Sequence, residues 1–133
     1  MNTTAKEIMS TELMHATEGM TIEDALKVLI NSRITGLPVV DKKGKLIGVM
    51  SEYDILVHIS KAKSMKPEVF QETITFSPTA DSIGEDTPIT EIMKQFIDLK
   101  FRRLPVVNSS GKLVGIITRR DLMRVFYYRA RLS

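Results

Sequence analysis

Two short stretches of the 133-residue chain hold its most chemically suggestive residues: GVMSEYD at 48–54 and GIITRRD at 115–121. In each, an apolar run ends in a hydroxyl residue, Ser51 or Thr118, and a carboxylate follows three positions later, Asp54 or Asp121. One reading is structural. A Ser or Thr at a helix start accepts a hydrogen bond from a first-turn amide, and an acidic residue three positions on closes the reciprocal bond, at about 1 kcal/mol per cap. The other reading turns the same geometry to binding. A helix N-terminus presents N–H groups and a positive dipole end to a phosphate. The Thr118 hydroxyl adds a donor, and Arg119 or Arg120 adds charge-assisted bonds. Asp121 repels a phosphate, but a carboxylate beside one suits the two hydroxyls of a ribose. Phosphate donors next to a ribose acceptor describe a nucleotide site, and both readings stay open.

Other residues offer less. The chain has no cysteine, which excludes disulfides, thiol nucleophiles and thiolate metal sites. His15 and His58 stand far apart without nearby ligands, so surface or capping roles are expected rather than metal or catalytic ones. Asp81, Glu85 and Asp86 surround Gly84 and have the chemistry for Mg²⁺, but they read as a solvated loop before a helix. No catalytic residue and no metal ligand is assigned. The end of the chain carries Arg119, Arg120, Arg124, Arg129 and Arg131 against one acid, Asp121. That region attracts phosphate, nucleic acid or an acidic partner, or is simply a solvated helix face. Tyr127 and Tyr128 beside it could stack on bases, or close a dimer interface. The eight methionines default to core packing.

The elements that must position these residues come in two copies. Leu37-Pro38-Val39-Val40 recurs as Leu104-Pro105-Val106-Val107, Gly48 as Gly115 and Asp54 as Asp121, always 67 residues apart. Such a fixed period sets the architecture. In the first copy, 21–33 has helical spacing with Ile22, Ala25, Leu26, Leu29 and Ile30 inward, started by a Thr21–Asp24 capping pair. A strand at 37–40, a turn at 41–44 and a returning strand at 45–50 form a hairpin. A helix begins at Ser51, with Ile55, Leu56 and Ile59 inward. The second copy predicts a helix over 88–100 with Pro88 in its first turn, strands at 104–107 and 112–117, a turn at 108–111 and a helix from 118 to about 128. Short strands precede each copy, near 14–17 and 79–83. The expected divisions are repeat one at 1–60, a mobile polar linker at 61–75 with room for one short helix, and repeat two at 76–130, together one pair because neither half covers its own small sheet.

Composition is that of an ordinary globular chain, 43% hydrophobic and 26% charged, with net charge +3 and pI near 9.2. No apolar run approaches the roughly 18 residues of a membrane helix. A soluble, cytoplasmic protein without a membrane partner is expected.

Both copies resemble CBS repeats, and the whole chain is similar to a stand-alone CBS pair, or Bateman module. The resemblance rests on EIMS at 7–10, TGLPVVDKKGKLIGVMSEYD at 35–54 and RRLPVVNSSGKLVGIITRRD at 102–121. It implies an α/β (α+β) fold of two pseudo-symmetric βαββα repeats packed sheet to sheet, and dimerisation into a flat disk. It further implies an adenosine-containing ligand (AMP, ADP, ATP or S-adenosylmethionine), no obligatory cofactor, and energy-sensing regulation of a partner enzyme, transporter or channel. Carried over by residue, one cleft combines Thr118, Arg119, Arg120 and Asp121 with Ser10, Thr11, Leu13 and Met14, while Ile34, Thr35, Gly36 and Pro38 line the adenine. The other combines Ser51 and Asp54 with Ser77, Pro78, Ala80, Asp81, Phe101, Arg102 and Pro105. The clefts differ. Glu52 and Tyr53 stand where the first has Arg119 and Arg120, so the Thr118/Asp121 cleft is the expected phosphate site. Asp81 near the second adenine departs from the family pattern, and Arg102 could meet a phosphate there from the opposite side. The expectation is a non-enzymatic, homodimeric adenine-nucleotide sensor. An interaction module with weak or empty clefts ranks second, and a nucleic-acid binder third.

Overall fold

Helical spacing over 22–32 and 89–98, and β-branched runs closing at 40 and 107, are realised as helices and strands at those places. The computed structural model describes residues 3–32, 34–61, 67–78 and 81–132, so Arg33, Thr79, Ala80 and linker residues 62–66 lie outside the described residues. Along the chain the elements are α1 (Ala5–Ile8), β1 (Ala16–Thr17), α2 (Ile22–Ser32), β2 (Gly36–Val40), β3 (Leu46–Ser51), α3 (Glu52–Lys61), a 3-10 turn (Pro67–Gln71), β4 (Ile83–Gly84), α4 (Ile89–Asp98), β5 (Arg103–Val107), β6 (Leu113–Thr118) and α5 (Arg119–Leu132). They form two compact units, a contiguous one of Met14–Ala80 and a composite one of Met1–Leu13 with Asp81–Ser133.

Each unit is a βαββα repeat on a three-stranded sheet, in the orders β1-β2-β3 and β4-β5-β6. The first pair is parallel and the second antiparallel in both. Both hairpins slip register at the same place, between Val39 and Val40 and between Val106 and Val107. Their turns match as well. Asp41 Oδ1 accepts from the amides of Lys43 (2.8 Å) and Lys45 (2.9 Å), and Asn108 Oδ1 accepts from those of Ser110 and Lys112, both at 3.0 Å. Gly44 and Gly111 close them at φ +85° and +79°, where a Cβ would be strained.

The cores repeat the 67-residue offset. In the contiguous unit Ala16, Ile22, Ala25, Leu29, Leu37, Val39, Met50 and Ile55 are buried together. In the composite unit the same positions are Ile83, Ile89, Ile92, Phe96, Leu104, Val106, Ile117 and Leu122. Two residues expected inward are not. Ile30 is 69% exposed and Leu56 is 65% exposed, because each sits at the margin of its helix's apolar stripe.

Both boundary segments are held by hydrogen bonds. Residues 3–13 bond to segments of the second repeat and cluster with it. The amides of Ala5 and Lys6 bond the carbonyls of Thr87 and Glu85, the Ile89 amide bonds the Thr3 carbonyl, and Arg129 donates to the Thr3 hydroxyl. The described part of the linker, 67–75, includes the 3-10 turn at Pro67–Gln71 and is anchored to the contiguous unit. Val69 and Ile74 are buried, the Ile22 amide bonds the Glu72 carbonyl, and the Ile74 amide bonds the Met20 carbonyl. Charge and proline concealed these apolar anchors.

Candidate functional site

Each sheet ends by feeding its last strand directly into the closing helix, β3 into α3 and β6 into α5. Ser51 and Thr118 stand at the junctions. The Thr118 amide and hydroxyl donate to Asp121 Oδ2 at 2.8 and 3.0 Å, and the Asp121 amide returns a bond to the Thr118 hydroxyl at 3.2 Å. Ser51 and Asp54 repeat all three bonds at the same distances. The capping pair is therefore formed in both units. It uses one carboxylate oxygen and leaves the other for further acceptance. Asp121 Oδ1 has Arg124 at 4.0 Å, and its side chain is 16% exposed.

The helix end is less open to phosphate than its sequence suggests. The Arg119 amide bonds the Arg102 carbonyl at 3.2 Å, so the amides of Thr118, Arg119 and Asp121 are all taken. The Arg119 guanidinium turns back as well, donating to the carbonyls of Phe101 (2.8 Å) and Lys100 (3.1 Å). Lys100 leaves α4 at φ +56° and so presents its carbonyl there. Arg120 is exposed. In the other unit the Glu52 amide bonds the Thr35 carbonyl at 3.0 Å.

A borrowed segment bridges to the last strand beside each site. Ser10 pairs with Ile116, two residues before Thr118, and Ser77 pairs with Val49, two residues before Ser51, by reciprocal backbone bonds of 2.9–3.0 Å. Both partner strands carry a glycine at the crossing. A Cβ at Gly115 would strike the Met9 side chain, and one at Gly48 would strike the Ser77 carbonyl and the Phe76 ring. The roles of Met9 and Phe76 escaped the sequence reading, although both stand 67 residues apart like the rest of the repeat.

The expected residue sets divide between the units. Of the first set, Ser10, Thr11, Leu13, Thr118, Arg119, Arg120 and Asp121 belong to the composite unit. Met14, Ile34, Thr35, Gly36 and Pro38 belong to the contiguous one. Of the second set, Ser51, Asp54, Ser77 and Pro78 are in the contiguous unit and Asp81, Phe101, Arg102 and Pro105 in the composite unit, with Ala80 outside the described residues. Among the described residues no group of three or more His, Asp or Glu is placed to hold a metal. His15 is exposed, while His58 Nε2 lies 2.7 Å from Glu72 Oε2 and its Nδ1 3.4 Å from the Thr75 hydroxyl.

The sequence profile of the CBS domain matches residues 5–61 and 66–128. The chain is 37% identical over 129 residues to the chloroplastic CBS domain-containing protein CBSX1 of Arabidopsis thaliana, covering 78% of this chain and 55% of that protein. It thus spans about half the length of that relative. A solved structure of CBSX2 in complex with AMP superposes with TM-score 0.77 at 28% identity, covering 96% of this chain and 98% of that one. The CBS domain pair of protein MJ0100, solved with 5'-methylthioadenosine and S-adenosyl-L-methionine, gives 0.72 at 28% identity, covering 97% and 99%.

Proposed function

Because the chain belongs to the CBS domain family, we propose that it is an adenine-nucleotide-binding regulatory module without catalytic activity of its own. The observation that carries this is the twice-built pair Thr118/Asp121 and Ser51/Asp54, in which the cap occupies one carboxylate oxygen and leaves the second to accept ribose hydroxyls. Relatives solved with AMP, and with 5'-methylthioadenosine and S-adenosyl-L-methionine, support an adenosine ligand. In this reading Ser10 borders the Thr118/Asp121 site, and Ser77 borders the Ser51/Asp54 site. At the first site Arg119 mainly braces the loop before β5. Glu52 makes the second the weaker site for phosphate.

The working unit is a homodimer in this proposal. Met93, Ile97, Met123 and Phe126 line an apolar groove of about 670 Å³ between α4 and α5. Ile97 and Met123 are 65% and 64% exposed, and Ile30 and Leu56 at the matching positions of the other unit are equally bare. Regulation then requires a ligand that binds one dimer arrangement better than another, since equal affinity shifts nothing. Among the described residues no helix is long and apolar enough to cross a membrane; a cytoplasmic location belongs to the proposal.

Calorimetric titration with AMP, ADP, ATP and S-adenosylmethionine tests this reading, on the wild type and on Asp121→Ala and Asp54→Ala. Saturable binding lost in either variant is expected. A folded wild type that binds none of the four would point instead to an interaction module with empty sites. The occupied first-turn amides are the observation favouring that second reading.

A further inference from the structure

The excess positive charge of the molecule resides on one helix. The contiguous unit has 8 basic and 8 acidic residues and the composite unit 11 and 8, which accounts for the whole net charge of +3. Within the composite unit α5 alone holds five arginines and one aspartate, so the remainder of that unit is slightly acidic. Two of the five are used internally: Arg119 on the carbonyls of Lys100 and Phe101, and Arg129 on the Thr3 hydroxyl. The other three, Arg120, Arg124 and Arg131, are exposed, Arg124 with one nitrogen 4.0 Å from Asp121 Oδ1.

Helical geometry gathers these three. At 3.6 residues per turn they share with Tyr127 an arc of about 60°, opposite the buried Leu122, and they extend over about 16 Å of helix. None of these four lines the apolar groove between α4 and α5. Arg131 stacks 5.5 Å from the Tyr127 ring centre and donates to its hydroxyl at 2.9 Å. Tyr128 meets Tyr127 edge-on at 5.4 Å, and each ring is 56% exposed. The repeat supplies an internal control. At the matching positions α3 carries Tyr53 for Arg120, Val57 for Arg124 and Ser60 for Tyr127, so neither the fold nor the cap demands this basic, aromatic face.

We infer that the outer face of α5 binds single-stranded nucleic acid, with Arg120, Arg124 and Arg131 on successive phosphates and Tyr127 and Tyr128 stacking on bases. Charge alone would serve an acidic peptide or an anionic membrane equally well. Exposed rings interleaved with guanidiniums favour a strand whose bases offer π-faces. The sequence ranks nucleic acid last among partners; the outward convergence of these side chains raises it.

The test is fluorescence anisotropy of the full chain with labelled 20-nucleotide oligo-U and oligo-dT over a salt series. Three phosphate contacts predict a slope of about −2 in log affinity against log salt. Charge reversal at Arg120, Arg124 and Arg131 together should abolish binding with an unchanged melting temperature, the triple Arg→Lys variant should retain the slope, and Tyr127→Ala should weaken binding roughly 5- to 100-fold. Saturating AMP should displace neither oligonucleotide. The inference is overturned if neither binds at low salt, or if AMP competes, which would place the strand in the nucleotide site. It is equally overturned if poly-glutamate or phosphatidylserine vesicles bind as tightly and Tyr127→Ala changes nothing.

Discussion

At Asp121 one carboxylate oxygen holds the helix cap while the other, 4.0 Å from Arg124, takes no part in it, so two properties can be separated by substitution. Asp121→Asn keeps an acceptor for the Thr118 amide and should cost less than about 1 kcal/mol in urea unfolding. It removes the anionic acceptor for a ribose and should lower nucleotide affinity at least roughly tenfold, as expected for a charged hydrogen bond. Thr118→Ala should show the complementary loss, about 1 kcal/mol of stability. Equal destabilisation by both, without any effect on affinity, would reduce the pair to a cap. Asp41 yields a second prediction. Backbone bonding from Lys45, then from Lys43, with the charges of both lysines, holds its carboxyl below the usual 3.8. A lowered folded value stabilises above the unfolded one, and that stabilisation disappears as pH falls from 3.8 through the folded value. Asn108 performs the same bonding uncharged in the other hairpin. Asp41→Asn should therefore retain the turn and show a smaller drop in melting temperature between about pH 7 and pH 3 than the wild type. Residues of this kind were legible in the sequence because a cap or a turn is satisfied within four positions. The commitment of Arg119 to carbonyls 18 and 19 residues away was not.

Among the elements, the crossings at Gly48 and Gly115 look alike but are built differently. The obstacle at Gly115 is the flexible Met9 side chain, whereas at Gly48 it includes the Ser77 backbone carbonyl. Both Gly→Ala changes should destabilise, by about 1–3 kcal/mol or more. Met9→Ala removes the two nearest obstacles but leaves the Met9 Cβ at 2.9 Å, so it should restore part of the loss in Gly115→Ala, while Phe76→Ala should restore little in Gly48→Ala. Equal rescue in thermal unfolding would contradict this. The joints between borrowed segment and closing helix also diverge. The composite unit uses Ala5 in its apolar core with Ile8 and Val125 packed against it, where the contiguous unit has Glu72, Thr75 and His58 in polar contact. His58→Ala should speed amide exchange at Ile74 and Ser77 about fivefold, the equivalent of one hydrogen bond, and leave Ser10 and Ile116 unchanged. Hairpins and long helices followed from local periodicity and the repeat. The 67–77 segment did not, because its anchors lie on β3 and α2, and no spacing within it reports a partner far along the chain.

For the whole molecule, the exposed Ile97 and Met123 carry the dimer proposal. Ile97→Glu with Met123→Glu should leave secondary structure intact by circular dichroism and halve the mass measured by light scattering. A dimer that persists would move the interface elsewhere. Composition and charge placed the chain among ordinary globular proteins, yet the division into units was hidden, since residues 1–13 and 81–133 share a unit across the whole of 14–80. That arrangement bears on synthesis. The contiguous unit has all its strands and its bridge to Val49 once residue 77 has emerged from the ribosome. The composite unit cannot close until β6 is made, so Met9 and Ser10 must wait unpaired through more than a hundred residues of translation, several seconds or more at roughly 5–20 residues per second. That segment thus finds its place long after it has been made.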